Sequence, residues 1–308
     1  MSGIFAENKV ILFKKEVTYG VDPTPTAAML TRDFSLRPAE SRNIARNLDK
    51  PGFGATPDLI SGMHVATSFK VDAAGSGAAG TALAFAEMIM ATGHSQTLTA
   101  STKAEYKPVS SAFDSGTLYA HKGGILAKTV GWRGSLGLDL SPANVPSFSF
   151  DGQGLYMAHT DTANPSASFT AFKTPVPVEK ANSLISTFNG LAIELVALNC
   201  NFGQEVIYRN YPNLETVNIT GRKSTATLEF MKKSIASINP PALMKAQTLV
   251  PLIVEHGITA GNIIRLDALQ CQITAVAEGV ADKEETWQLT LSLTPTGAGD
   301  DDYLITAK

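Results

Sequence analysis

The sequence predicts a mainly β protein of the α+β type, built as two tandem β-sandwich or barrel modules, each with one flanking helix. Three observations predict it. Period-two alternation recurs along the chain: Trp287, Leu289, Leu291 and Leu293 face one way, with Gln288, Thr290 and Ser292 the other, and Leu136, Leu138 and Leu140 alternate in the same manner. Only two segments read as helices. The order of elements in the first half then returns in the second. Alternation buries one sheet face and leaves the other free for water, as in antiparallel sheets.

The first module, with an N-terminal arm, spans residues 1–162. In the arm a short apolar strand, Val10–Phe13, precedes a proline turn at Asp22-Pro23-Thr24-Pro25. Proline has no N–H to donate, so this segment reads as a wrapping arm or an edge. Arg32–Leu36 is a short strand, and Arg37–Met63 a long polar connection holding Pro38, Pro51, Gly52, Gly54 and Pro57. Connections that long inside a compact β domain are uncommon and usually functional. An alternating strand, Val65–Val71, leads to an alanine-rich helix near Thr81–Thr92, with Thr81 as N-cap and Gly93 as the C′ residue. Strands follow at Thr117–Ala120 and Ile125–Val130 around a turn at Lys122-Gly123-Gly124, then near Gly134–Leu140 and Ser147–Phe150.

Residues 163–180 carry Pro165, Pro175 and Pro177 with weak periodicity and form the linker, in which Val176 and Val178 would let a strand pack on one neighbour. The second module spans 181–308. Leu191–Leu198 alternates, Asn201–Asn218 is a long excursion, and Val217–Thr227 returns. Next come a strand at Thr225–Phe230 and a short helix near Pro241–Gln247, opened by Asn239 and Pro240-Pro241. Strands at Val250–Glu255, Asn262–Leu266, Leu269–Ala275, Thr286–Thr294 and Tyr303–Ala307 complete it, with a turn at His256-Gly257. The two excursions share a short string, Ile44-Ala45-Arg46-Asn47-Leu48 and Ile207-Tyr208-Arg209-Asn210-Tyr211. Two copies of one β module suggest a building block more than an enzyme.

The 308 residues are enough for two cores, and 44% hydrophobic residues mark a globular composition. A net charge of −3 with scattered Lys and Arg excludes a broadly basic nucleic-acid binder. Charged residues are only 17%, which suits a chain that hides surface against partners. The N-terminal residues have no charged-then-apolar signal pattern, and the longest nearly apolar stretch, Ala78–Ala91, is interrupted by Glu87 and too short to span a bilayer. The chain is therefore expected to be cytosolic at synthesis, with no membrane partner. Cys200 and Cys271 do not make a disulfide framework and read as two packed thiols.

Three motifs invite a chemical reading. Gly75-Ser76-Gly77-Ala78-Ala79-Gly80 matches the glycine fingerprint of dinucleotide-binding folds, between a strand and a helix. The chain then continues as a run of strands, and Glu105, before Pro108, is not the ribose-binding acid at a strand end. The expected role of the string is a turn that lets a small-residue helix pack close, with no cofactor. The histidines, His64, His94, His121, His159 and His256, lack a partner at metal-ligand spacing, and no G-x-S-x-G string is present. His121 and His256 share a place beside the tight turn of their module, which argues for a structural role. Asp300-Asp301-Asp302 reads as a solvated turn, because adjacent carboxylates on a strand cannot all face one ion. No catalytic or metal site is expected. The rival to a structural role is a surface β-sandwich binding module, such as an adhesin or carbohydrate binder. It would need exposed aromatic platforms, whereas aromatics are 7% and Trp287 lies on the apolar face of its strand, with Trp132 the other tryptophan.

With the strings Glu16-Val-Thr-Tyr-Gly-Val-Asp-Pro-Thr-Pro-Thr, Ala45-Arg-Asn-Leu-Asp-Lys-Pro, Ala74-Gly-Ser-Gly-Ala-Ala-Gly-Thr and Tyr106-Lys-Pro-Val-Ser-Ser in this order, the chain resembles the tail tube (major tail) proteins of long non-contractile-tailed bacteriophages, and the resemblance runs over nearly the whole chain. Ala171-Phe-Lys-Thr-Pro, Val206-Ile-Tyr-Arg-Asn and His256-Gly-Ile-Thr-Ala-Gly-Asn-Ile-Ile extend it through the second half. It implies tail-tube-like modules assembled into rings that stack as a tube, the conduit for genome ejection. Such rings usually carry six modules, so the expected partner is the chain itself, as a homotrimeric pseudo-hexameric ring or alternatively a homohexamer. Tail terminator and tail tip proteins are the other expected partners, and DNA would pass the lumen without specific binding. Head-to-tail stacking makes a filament. The two excursions are expected to reach the next ring, with Arg42, Arg46, Asn47, Arg209 and Asn210 as candidate inter-ring contacts.

Overall fold

The computed structural model describes residues 7–142, 144–183 and 185–308; the first six residues of the arm lie outside the described residues. With 53% of the chain in strands and 4% helical, it is mainly β. In chain order the first half contains β1 (Lys9–Lys15), β2 (Ala28–Met29), β3 (Arg32–Ile44), β4 (Leu59–Asp72), α1 (Ala86–Met90), β5 (His94–Thr99) and β6 (Lys103–Pro108). It continues with β7 (Gly116–Lys122), β8 (Ile125–Asp139), β9 (Ser147–Tyr156) and β10 (Thr160–Asp161). The second half holds β11 (Ile185–Phe188), β12 (Leu191–Ala192), β13 (Leu195–Asn201), β14 (Gln204–Tyr211), β15 (Leu214–Arg222) and β16 (Thr225–Met231). Then come α2 (Pro240–Lys245), β17 (Leu249–His256), β18 (Ile264–Ala281), β19 (Glu284–Leu293) and β20 (Leu304–Ala307).

The strands pair in an order that occurs twice. In the first half β3, β4, β9, β8, β7 and β1 follow one another, every pair antiparallel. In the second, β13, β16, β19, β18, β17 and β11 do the same. The helix in each case falls between the second and fifth strands of that order, α1 after β4 and α2 after β16. The two series are one sheet because the end of β8 pairs with β13, while β20, paired with β18 on one side, adds β6 and β5 on the other.

The core follows from the alternation. Phe69 and Val71 of β4 and Phe148 and Phe150 of β9 point one way, and Trp132, Leu136 and Leu138 of β8 join them. Leu228, Phe230, Leu289 and Leu291 do the same in the second half, and all belong to one buried cluster. Phe69 stacks on Phe150 at 5.5 Å between ring centroids, and Phe13 meets Trp132 edge-on at 5.5 Å. Such pairs add about 1 kcal/mol beyond the area they bury.

Several expectations change. The segments Ile125–Val130 and Gly134–Leu140 are one strand, as are Asn262–Leu266 and Leu269–Ala275, each carrying a bulge that resets the alternation midway. Arg37–Met63 is not all connection: β3 runs to Ile44 and β4 starts at Leu59. Cross-strand pairing holds this hairpin beyond the core, so neither face of its outer part is buried, and exposed Ile44, Leu59 and Ile60 stand among polar side chains with no period to read. Asn201–Asn218 is likewise mostly the hairpin β14–β15. The helix expected over Thr81–Thr92 is only Ala86–Met90, with Phe85 in place of Thr81 as N-cap and Gly93 one position beyond C′. Buried Leu83 and Phe85 anchor an irregular entry there, and the Tyr106 hydroxyl accepts the Leu83 N–H at 3.0 Å. For α2 the expectation holds, since the Asn239 side chain accepts from the Ala242 N–H. Residues 163–180 form no strand, although Val178 is buried.

Candidate assembly surface

The face opposite the core is polar and built of short side chains. Ser68, Ser149, Asp151, Gln153 and Asp139 occupy it in the first half, and Asn199, Thr227, Glu229, Gln288 and Thr290 in the second. Its carboxylates are Asp139, Asp151 and Glu229; Lys70 stands on β4 beside β9, which carries Asp151, and Arg37 on β3 pairs with Glu40 at 3.2 Å. No large apolar side chain interrupts these positions, so the face neither demands a hydrophobic cover nor attracts phosphate strongly.

Two long hairpins leave this body. β3–β4 ends in residues 45–58, where Leu48 and Phe53 are exposed, as are Ile44, Leu59 and Ile60 on the flanking strand ends. Arg42 lies exposed near the end of β3, paired with Ser61, and Arg46 and Asn47 follow in the turn, with Asn47 in the left-handed region at φ 40°. The second hairpin, β14–β15, leans on β4, β8 and β9 of the same chain. Tyr208 stacks on His64 at 4.5 Å, and Arg133 donates to the Val217 carbonyl at 2.8 Å and to the Asn218 side chain at 2.9 Å. Arg209 and Asn210 stand near its tip, Arg209 half-buried and Asn210 donating to the Tyr208 hydroxyl at 3.0 Å. The five candidate contacts thus sit on two separate hairpins, at or near their ends.

Buried polar anchors hold these arms. Glu16 is buried, and its carboxylate accepts four hydrogen bonds, from Gly20 N–H, Ser115, Thr117 and Gly131 N–H, at 2.6–2.8 Å. It fixes the turn that carries Tyr19, whose hydroxyl accepts the Val217 N–H at 2.6 Å. A second anchor joins the halves. His94 bonds the Tyr303 hydroxyl at 2.8 Å, Gln204 donates to the same hydroxyl, and Arg222 pairs with Asp302 at 2.8 Å and Asp300 at 3.2 Å. Burial pushes the His94 imidazole down to about 3. The aspartate run is therefore not a free solvated turn: Asp302 is buried against Arg222, Asp300 receives Ser110, and Asp301 holds the Thr296 backbone.

The glycine string is a packing device. Gly77 N–H donates to the Gly261 carbonyl at 2.7 Å, and Gly75 N–H to the Asn262 side chain at 2.8 Å. A Cβ on Gly75 would come within 2.1 Å of the Gly261 oxygen, so protein backbone fills the space a pyrophosphate would need. The string also lies five residues or more before the helix, too far to present helix N–H groups. His256 bonds the Ser183 hydroxyl at 2.9 Å and the Val176 carbonyl at 3.0 Å, holding the linker against the turn. Among the described residues no cluster of three metal-ligating side chains forms. Both cysteines are unpaired and buried, and so are Trp132 and Trp287. No helix among the described residues is long and apolar enough to cross a membrane.

What this surface offers is strand edges, projecting hairpins and a bland polar face, the features of a structural β protein that meets other chains. A family model described as phage tail tube protein matches residues 6–231, and the chain belongs to that family. It is a structural component of the virion, a tail tube protein. The match ends with β16, and β17–β20 lie beyond it. No curated protein matches the chain.

Proposed function

We propose that the chain polymerises as stacked rings into the phage tail tube, through which the genome is ejected. The observation that carries this reading, beside the family, is the pairing order that occurs twice in one chain. It supports two modules, residues 1–162 and 181–308, joined by the linker 163–180. Three chains then supply six modules to a pseudo-sixfold ring; a hexamer of chains is the alternative. The polar face lines the lumen, where uncharged polar side chains and an excess of carboxylates, Asp139, Asp151 and Glu229, over Lys70, a cation unpaired among the described residues, let DNA pass without being held. The hairpin ends carrying Arg42, Arg46, Asn47, Arg209 and Asn210 contact the next ring, pairing with its carboxylates. Tail tip and tail terminator proteins bound the tube at its two ends.

Electron microscopy of the concentrated protein tests the reading. Hollow tubes with a channel wider than duplex DNA are expected, and end-on averages count the chains per ring. A protein that stays monomeric at all concentrations and salts, even with the tail tip proteins added, overturns it.

A further inference from the structure

The repeated pairing order has one junction inside the chain and leaves the matching junction open at its ends. Within the chain, the part of β8 that β7 does not cover takes β13: Asn199 lies opposite Asp139, Cys200 opposite Leu138 and Asn201 opposite Gly137. Leu140 N–H donates to the Leu198 carbonyl and Phe202 N–H to the Leu136 carbonyl, both at 3.0 Å. This junction buries Leu136, Leu138, Leu140, Cys200 and Phe202 almost completely, in one cluster with Met88 and Ile89 of α1.

The counterpart of β8 is β18. β17 covers it up to Gln272, and β19 and β20 take the opposite edge. Among the described residues nothing pairs with the remaining edge, residues 273–281, where Val280 is 71% exposed and Ala275 and Ala277 are exposed. The counterpart of β13 is β3, which pairs with β4 alone among the described residues. A groove of about 520 Å³ runs beside the open edge of β18, walled by Pro241, Met244, Val276 and Trp287. In the first half the corresponding space is occupied.

We propose that the open edge of β18 takes β3 of a second copy of this chain, in the register that joins β8 to β13. Shared partners set that register. Phe69 and Val71 lie opposite Phe150 and Phe148, as Leu228 and Phe230 lie opposite Leu289 and Trp287. Leu138 lies opposite Phe148, as Glu278 lies opposite Trp287. On the other side, Leu36 pairs with Thr67, two residues before Phe69, as Cys200 pairs with Ala226, two before Leu228. Leu36 therefore takes the place of Cys200 and meets Glu278 of the second copy, with Ser35 opposite Gly279 and Arg37 opposite Ala277. The Leu36 side chain enters the groove beside Met244, Val276 and Trp287. Pro38 falls where Phe202 stands and has no N–H, so the new ladder ends at Arg37. The same proline costs β3 nothing against β4, because the nitrogen faces the open edge, and it shields that edge from promiscuous pairing.

This proposal rests on the ring reading above and names its lateral contact. The pair Arg37 and Ala277 corresponds to Asn201 and Gly137, between two hydrogen-bonded pairs, where Cα atoms approach to about 4.5 Å and a disulfide is geometrically allowed. The test is Arg37→Cys with Ala277→Cys in the full chain, oxidised at high protein concentration and run on a non-reducing gel. A ladder of covalent multimers is expected, at least tenfold stronger than from Arg37→Cys with Thr274→Cys, which is out of register. Met244→Asp provides the second readout. It lies on an exposed helix face, so an unchanged melting temperature with at least tenfold weaker assembly is expected. Tubes without the in-register cross-link, and with full assembly of Met244→Asp, overturn the proposal and leave the tube reading standing. Absence of both cross-link and assembly overturns both.

Discussion

At the scale of single residues, the fold depends on a few polar groups buried with all their partners. Removing the Glu16 carboxylate leaves two N–H groups and two hydroxyls without an acceptor, and Glu16→Ala is expected to cost about 2–4 kcal/mol in urea unfolding. His94 adds a pH dependence to stability. In the unfolded chain it binds a proton near pH 6.5; in the folded chain, sealed against Tyr303, it does so only near 3. The unfolded state then holds more protons between these values, so stability falls as pH drops through that window, by at most about 1.4 kcal/mol per unit from this group. His94→Gln is expected to flatten the slope of unfolding free energy between pH 6.5 and 4, and an unchanged slope would assign the acid sensitivity elsewhere.

Among the elements, turns and hairpins carry the information that helices carry in other folds. The glycine string docks one loop on another, so Gly75→Ala, with its Cβ driven against the Gly261 carbonyl, is expected to destabilise by about 1–3 kcal/mol. Added NAD or NADP should leave the melting temperature of the unmodified protein unchanged, and an upward shift would revive the dinucleotide reading. The β3–β4 hairpin is exposed from Arg42 outward, and its tip makes little of the core. Replacing residues 46–56 by a two-residue turn should therefore shift the melting temperature by only a few degrees. Tube formation, scored by sedimentation and microscopy, should be lost. Melting well below the parent would show instead that the tip supports the fold.

For the molecule as a whole, continuity decides. The last strand, β20, bridges β18 of the second half and β6 of the first, and Tyr303 and Asp302 just before it close the buried seam with His94 and Arg222. Deleting residues 300–308 is expected to remove more than 4 kcal/mol of stability and to expose two strand edges, giving aggregation rather than ordered tubes. A truncated chain that still assembles would show that the halves are held by β8–β13 alone.

Local side-chain pattern was sufficient for the mainly β class and for most strand positions, because alternation reports directly which face of a strand is buried. It was sufficient too for α2, whose Asn-Pro-Pro start is chemistry within four residues. It could not show that Arg37–Met63 and Asn201–Asn218 are mostly hairpins, since the outer part of β3–β4 has no buried face, and the few buried residues of β14–β15, Val217 and Ile219 among them, pack on strands far away in the chain. Nor could it separate the glycine string from a cofactor loop: the distinction lies in the Gly261 backbone, far along the chain, that fills the space. Nothing local marks Glu16, Arg133 and Arg222 as anchors, because only folding brings four donors to one carboxylate and two aspartates to one guanidinium. The order of elements suggested a repeat, but pairing is a relation between distant segments. Only the tertiary structure decides which edges are joined within the chain and which are left open.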